Sequence, residues 1–224
     1  MKNYYSDSLN SNRLKRCYDI APVRVKQFLE AEINFVLNKI SSNDIVLDLG
    51  CGYGRVALRL AEKAKKIIGI DISKDNIQLA KKIIENHDNC EFYTMDAVNL
   101  KFADNLFDKV VCVQNGISAF KVDPAGLIKE SIRVTKKGGT VLFSSYSEKF
   151  WDDRLKWFQI QAEHGLIGDI DYRQTKDGVI ICKDGFKATT YSGEDFLKLA
   201  SGFNVKTTIH EIDESSVFCE MTVL

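Results

Sequence analysis

The sequence predicts a doubly wound α/β fold: a mostly parallel seven-stranded sheet with an antiparallel last strand, an N-terminal helical cap and a small antiparallel insertion after strand five. Three observations lead there. Short apolar runs such as "IVLDL" and "KIIGID" alternate with segments of helical periodicity, which is the pattern of strands buried on both faces. The first run leads into "GCGYGR", which places Gly50, Gly52 and Gly54 directly behind a strand. The chain, at 224 residues, has room for one sizeable α/β domain.

Ahead of strand one, residues 22 to 40 put Val25, Phe28, Leu29, Ile33, Val36 and Ile40 on one helical face, with Pro22 suited to a first turn. "DIVLDL" is strand one, "RVALRLAEKA" the crossing helix and "KIIGID" strand two, together a βαβ unit. Ser73 is the expected N-cap of a helix over "KDNIQLAKKIIEN". "CEFYTMD" and "FDKVVCV" read as strands three and four, "DPAGLIKESIRVT" as a helix and "GGTVLFSSYS" as strand five. After residue 146 the rhythm changes. "EKFWDDRLKWFQIQAEHG" is a helix that buries Phe150, Trp151, Leu155 and Phe158, and two KDG turns between β-rich runs predict an antiparallel meander. A helix over "GEDFLKLA" precedes a closing antiparallel pair, "FNVKTTIHEI" with "SSVFCEMTVL".

Lys plus Arg and Asp plus Glu both number 31, so no global charge favours a nucleic acid or an anionic membrane surface. No apolar run approaches the roughly 20 residues of a membrane span, and "MKNYYSDSLNSNR" lacks the apolar core of a signal peptide. A cytoplasmic chain is expected. Its six cysteines (Cys17, Cys51, Cys90, Cys112, Cys182 and Cys219) form no Cys-x-x-Cys and neighbour no histidine pair. They read as reduced thiols, with no metal expected.

In open parallel sheets, ligands bind beyond the carboxyl ends of the strands. Three acids fall there, Asp48, Asp71 and Asp96, each about one strand-helix repeat from the next. An acid some 20 residues past a glycine turn is placed to accept from ribose hydroxyls. A Walker phosphate loop would need Lys and then Ser or Thr after the last glycine, where Arg55 and Val56 stand. The dinucleotide fingerprint would need glycine at Arg55, which weakens that reading without removing it. Asp48 beside the loop suits an ammonium group better than a pyrophosphate.

Taken in order, "VLDLGCGYGRVALRLA", "IIGIDIS", "FYTMDAVNLKF", "FDKVVCV" and "RVTKKGGTVLFSSY" resemble the successive motifs of class I S-adenosylmethionine-dependent methyltransferases, over about residues 44 to 145. The resemblance implies S-adenosylmethionine as cofactor and S-adenosylhomocysteine as product. It also implies that Asp48, Gly50, Cys51 and Gly52 surround the methionine part, Asp71 holds the ribose diol, Ile72 packs on the adenine, and Asp96 with Ala97 reads the adenine edge. Gln114 and Asn115, just past strand four, are expected to face the methionyl group or the substrate, or alternatively to form the turn before Gly116.

The resemblance divides the chain into a cap (1–43), a cofactor-binding core (44–145), a substrate cover (146–192) and a closing helix with its strand pair (193–224), all in one methyltransferase domain. In the cap, Tyr18 is a candidate to close over the cofactor and Arg24 to pair with its carboxylate. In the cover, His164, Tyr191, Glu163 and Asp171 are the candidate acid-base groups, and a helix-end role for His164 is the alternative. Methyl transfer from a sulfonium needs mainly alignment and exclusion of water, so a base is required only for some acceptors. The loop "VQNGISAF" lacks the Asn/Asp-Pro-Pro-aromatic tetrad of enzymes that methylate planar amino groups. The expected partner is therefore a small-molecule methyl acceptor, with nucleic acid and membrane disfavoured. A protein or RNA methyltransferase, an NAD(P)-dependent dehydrogenase and a non-catalytic cofactor-binding module remain alternatives.

Overall fold

The computed structural model describes Tyr4 and residues 8–224. Among the described residues, α1 (Ser11–Asp19) and α2 (Val23–Lys39) precede the sheet. Then follow β1 (Ile45–Leu49), α3 (Arg55–Ala61), β2 (Lys66–Asp71), α4 (Lys74–Ile83), β3 (Cys90–Thr94) and β4 (Phe107–Cys112). A short α5 (Gly116–Ala119), α6 (Pro124–Val134) and β5 (Thr135–Tyr146) complete the parallel part. A 3₁₀ turn (Glu148–Phe150) leads into α7 (Trp151–Glu163), after which come β6 (Ile180–Ile181), β7 (Lys187–Ala188), α8 (Gly193–Ala200), β8 (Val205–Ile212) and β9 (Ser216–Val223).

The main sheet has the order β3-β2-β1-β4-β5-β9-β8, and β9 runs antiparallel to both neighbours. Chain order reverses between β1 and β4, so a crevice opens at the carboxyl ends of these strands. The apolar strand runs have buried residues on both sheet faces. Leu47, Leu49, Ile70, Val110 and Phe143 pack on one side, and Val46, Ile67, Val111 and Leu142 on the other. Helix starts follow local capping: Ser73 Oγ accepts from Asn76 N–H, and the Asp123 carboxylate from Ala125 and Gly126 N–H just before Pro124.

A third cluster joins the N-terminal helices to the segment after β5. Cys17, Val25 and Phe28 pack with Tyr146, Phe150, Trp157, Phe158 and Phe186. Trp157 donates its Nε1–H to the Cys17 carbonyl at 2.9 Å, and Arg13 Nη2 donates to the Gly165 and Leu166 carbonyls at 2.8 and 2.9 Å. Cap and insertion thus form one roof over the sheet edge. Within that roof the expected small antiparallel insertion is present as a two-stranded sheet. Its KDG turns are present, with Asp177, Gly178 and Gly185 at positive φ, but they join only the two-residue strands β6 and β7 and isolated bridges. Short loops pinned by the roof core leave little backbone free to pair. Trp157 is buried in the roof, whereas Trp151 and Leu155, expected to be buried, are only partly so.

Candidate functional site

Under the roof lies a cleft enclosing about 1120 Å³ of empty space, its mouth included. Its floor is the glycine turn. Gly50, Gly52 and Gly54 all take positive φ, at 69°, 54° and 87°. A Cβ on Gly50 would stand 2.9 Å from the Phe120 ring, and one on Gly54 2.6 Å from Ile84 Cδ1, so both backbone angle and close packing require glycine. Cys51 fills the turn's underside. It is buried, its Sγ packs against Gly69, and burial raises its thiol well above the ordinary range, which leaves no thiolate.

Asp71 closes the turn. Its carboxylate accepts from Gly52 N–H at 3.0 Å, Ser73 N–H at 2.8 Å and Asn76 Nδ2 at 3.2 Å. Asn76 Oδ1 in turn accepts from Ser11 N–H at 2.5 Å, which fastens the start of α1 to the same corner. Ile72, beside it, is 49% exposed and forms an apolar ledge in the cleft wall. Asp96 and Ala97 follow β3, next along the sheet edge. Asp96 is exposed and accepts from Val98 N–H, and neither residue lines the cleft.

Three cleft side chains end in buried polar atoms with no protein partner: Asp48 Oδ2, Arg55 Nη2 and Gln114 Nε2. Asp48 is 2% exposed. Desolvation first, and then the nearby Asp71 charge, raise its carboxyl from 3.8 to about 7, while Arg55 pulls it down. One acceptor and two donors on residues lining the same cleft match the hydrogen-bonding groups of a zwitterionic α-amino acid. Nearby, the ledge at Ile72 and the acid Asp71 offer an apolar surface and hydrogen-bond acceptors suited to a nucleoside.

The remaining wall is apolar and aromatic. Leu14 and Tyr18 come from α1, Tyr146 from the end of β5, Trp157, Phe158 and Gln161 from α7, and Phe186 from the loop before β7. Tyr18 packs edge-on against Tyr53 and carries the Arg55 guanidinium 4.8 Å above its ring. Burial raises both Tyr18 and Tyr146, so both hydroxyls stay neutral.

Several expected site residues lie elsewhere. Arg24 pairs with Asp213 and lies over the Phe150 ring, outside the cleft; the cation in the cleft is Arg55. Asn115 does not line the cleft either. Its Nδ2 donates to the Thr189 carbonyl and its Oδ1 accepts from Ser145 Oγ, so it ties β5 to the roof. All four acid-base candidates are also outside. Glu163 and His164 are exposed at the end of α7, Asp171 is used in a turn with Arg173 and Gln174, and Tyr191 packs on Phe196. Among the described residues, no group of three His, Cys, Asp or Glu is arranged to hold a metal. No described helix is long and apolar enough to cross a membrane.

The seven-stranded sheet with its antiparallel strand β9 defines a Rossmann-like α/β protein of the methyltransferase type. The family model for the methyltransferase domain matches residues 40–178, and the chain belongs to that family. It is 29% identical over 163 residues to the 2-methyl-6-phytyl-1,4-hydroquinone methyltransferase of Synechocystis sp., a match covering 69% of this chain and 48% of that protein. The chain thus spans about half the length of that curated relative. Among solved structures, the PH0226 protein from Pyrococcus horikoshii superposes over 100% of both chains with a TM-score of 0.70 at 21% identity. The N-methyltransferase NodS from Bradyrhizobium japonicum, solved with S-adenosyl-L-homocysteine, superposes over 98% of both with a TM-score of 0.64 at 15% identity. The fold is that of the class I S-adenosylmethionine-dependent methyltransferases.

Proposed function

We propose that this chain transfers a methyl group from S-adenosylmethionine to a small, largely apolar molecule held beneath the roof. The observation that carries the reading is the trio of buried, partnerless atoms on Asp48, Arg55 and Gln114, which complements the ammonium and carboxylate of a methionyl group. Asp48 would accept from the ammonium, and Arg55 and Gln114 would donate to the carboxylate. Gly50, Cys51 and Gly52 would bring bare backbone against the same part, Asp71 would take the ribose hydroxyls and Ile72 would support the base, with Asp96 and Ala97 at its outer edge. When bound, the cofactor supplies an electrophilic methyl group on a sulfonium.

The chain's own contribution is then alignment and dryness. Tyr18, Trp157, Phe158 and Phe186 exclude water and offer flat apolar faces to an acceptor, with Gln161 as a neutral hydrogen-bonding group among them. None of the four acid-base candidates reaches this space, which favours an acceptor whose nucleophile needs no protein base. The Synechocystis relative is named for a hydroquinone acceptor, in keeping with a small-molecule substrate.

Calorimetric titration with S-adenosylmethionine, S-adenosylhomocysteine and NADH tests the cofactor, and NADH binding without heat from the other two would overturn it. Incorporation of labelled methyl into total RNA, DNA, protein and a metabolite extract tests the acceptor. Label in the metabolite fraction is expected, and label confined to a polymer would promote the protein or RNA alternative.

A further inference from the structure

Glu32 occupies a place on α2 where packing alone calls for an apolar residue. Its neighbours on the inward stripe are Val25, Phe28, Leu29, Ile33 and Val36, and the Glu32 side chain is fully buried with them. A carboxyl there is costly unless it is hydrogen-bonded on every side. Its oxygens are engaged by donors from three other parts of the chain: Gln114 N–H at 2.8 Å from the loop after β4, the Ser216 hydroxyl from β9 and the Ser144 hydroxyl from β5. Burial raises Glu32 to about 7, and these donors and Arg55 hold it from rising further.

The bond to Gln114 acts on a strained spot. Gln114 and Asn115 both adopt left-handed backbone, with φ of 56° and 58°, a conformation that Asn tolerates but that is uncommon for Gln. Gln114 N–H is gripped by Glu32 Oε2 and Ser144 Oγ, both at 2.8 Å, and the Gln114 side chain is thereby turned into the cleft with its Nε2 partnerless. Asn115 is fixed separately through Ser145 and Thr189. The N-terminal cap therefore reaches through the interior to hold Gln114, one of the residues by which this loop lines the cleft.

We infer that Glu32 is a positioning residue for cofactor binding, acting through Gln114. It aims the Gln114 amide at the methionyl carboxylate without touching the ligand itself. The inference rests on the cofactor assignment above and adds a residue from outside the cleft.

The test is calorimetric titration of S-adenosylhomocysteine into the wild type and four variants. Glu32→Asp keeps a carboxyl but shortens its reach, and Gln114→Ala removes the group being aimed. Each should weaken binding roughly tenfold, the worth of one hydrogen bond to a charged group. The double variant should be no weaker than Gln114→Ala alone. Glu32→Gln retains an oxygen for Gln114 N–H and should bind within about twofold of the wild type. Thermal unfolding of each variant reads the purely structural part. Loss of affinity on Glu32→Asp that persists undiminished in the Gln114→Ala background, or a lowered melting temperature with unchanged affinity, would overturn the positioning role. A folded wild type that binds no S-adenosylhomocysteine would instead overturn the cofactor assignment on which it rests.

Discussion

The Asp71 carboxylate accepts a hydrogen bond from the Gly52 backbone N–H at 3.0 Å, so the end of β2 is fastened to the glycine turn that follows β1. The acid expected to hold the ribose is also a tie within the protein, joining the turn, the start of α4 and, through Asn76, the start of α1.

Asp71→Ala should therefore do two things at once. It leaves the Gly52 and Ser73 N–H groups without their acceptor, which should cost about 2 kcal/mol of stability, and it should abolish measurable cofactor binding. Denaturant unfolding and calorimetric titration with S-adenosylhomocysteine separate the two effects. Loss of binding with unchanged stability would mean that the turn holds its shape unaided.

The two arginines give a paired test. Arg55→Ala should weaken S-adenosylmethionine binding by about 1.5–3 kcal/mol, the range for a hydrogen bond to a charged group, whereas Arg24→Ala should leave it unchanged. The reverse result would show that the N-terminal helix turns its arginine inward on binding.

Asp48 predicts opposite pH trends for the free protein and for the complex. Its carboxyl is raised from 3.8 to about 7 in the folded state, so between these values the folded chain holds a proton that the unfolded chain has lost. Stability of the free protein should accordingly fall as pH rises from about 4 to 7, and Glu32, raised from 4.5 to about 7, adds to the same trend. Affinity for a ligand bearing an ammonium should instead rise through pH 7, as Asp48 ionises. Asp48→Asn should flatten the affinity profile and make the free protein less sensitive to pH, measured by titration and thermal unfolding from pH 5 to 8.

Trp157 joins the two halves of the roof. Trp157→Phe keeps most of the packing but leaves the Cys17 carbonyl without its donor, which should cost about 1 kcal/mol. In the wild type, S-adenosylhomocysteine should slow hydrogen exchange in α1 and α7 together; in the variant, protection of α1 should fall away first. Protection confined to the glycine turn would show that the roof does not respond to the ligand.

Much of the fold was legible because its signals are local. The apolar strands, the Ser73 and Asp123 caps and the glycine turn each depend on residues within a few positions of one another, where backbone angles and side-chain alternation follow directly from residue type. Asp48 and Asp71 could be placed for the same reason: a strand end fixes which acids meet at the sheet edge, whatever the roof does. The small antiparallel insertion was legible from its KDG turns, while the length of the β6 and β7 pairing depends on what the flanking residues pack against.

The sequence by itself determined the alternating sheet and the turn with its two acids, which follow from short-range periodicity and spacing, and its ordered motifs carried the resemblance to the methyltransferases. Only the tertiary structure decided that Arg55 and not Arg24 faces the cleft, that Asn115 is structural while Gln114 is presented, that the four acid-base candidates stand outside, and that Glu32 reaches the site from the cap. Each of these depends on how segments far apart in the chain meet, as Glu32 meets Ser216 and Cys17 meets Trp157. The free energy of such contacts comes from burial shared between distant segments, and no local pattern in either segment records it.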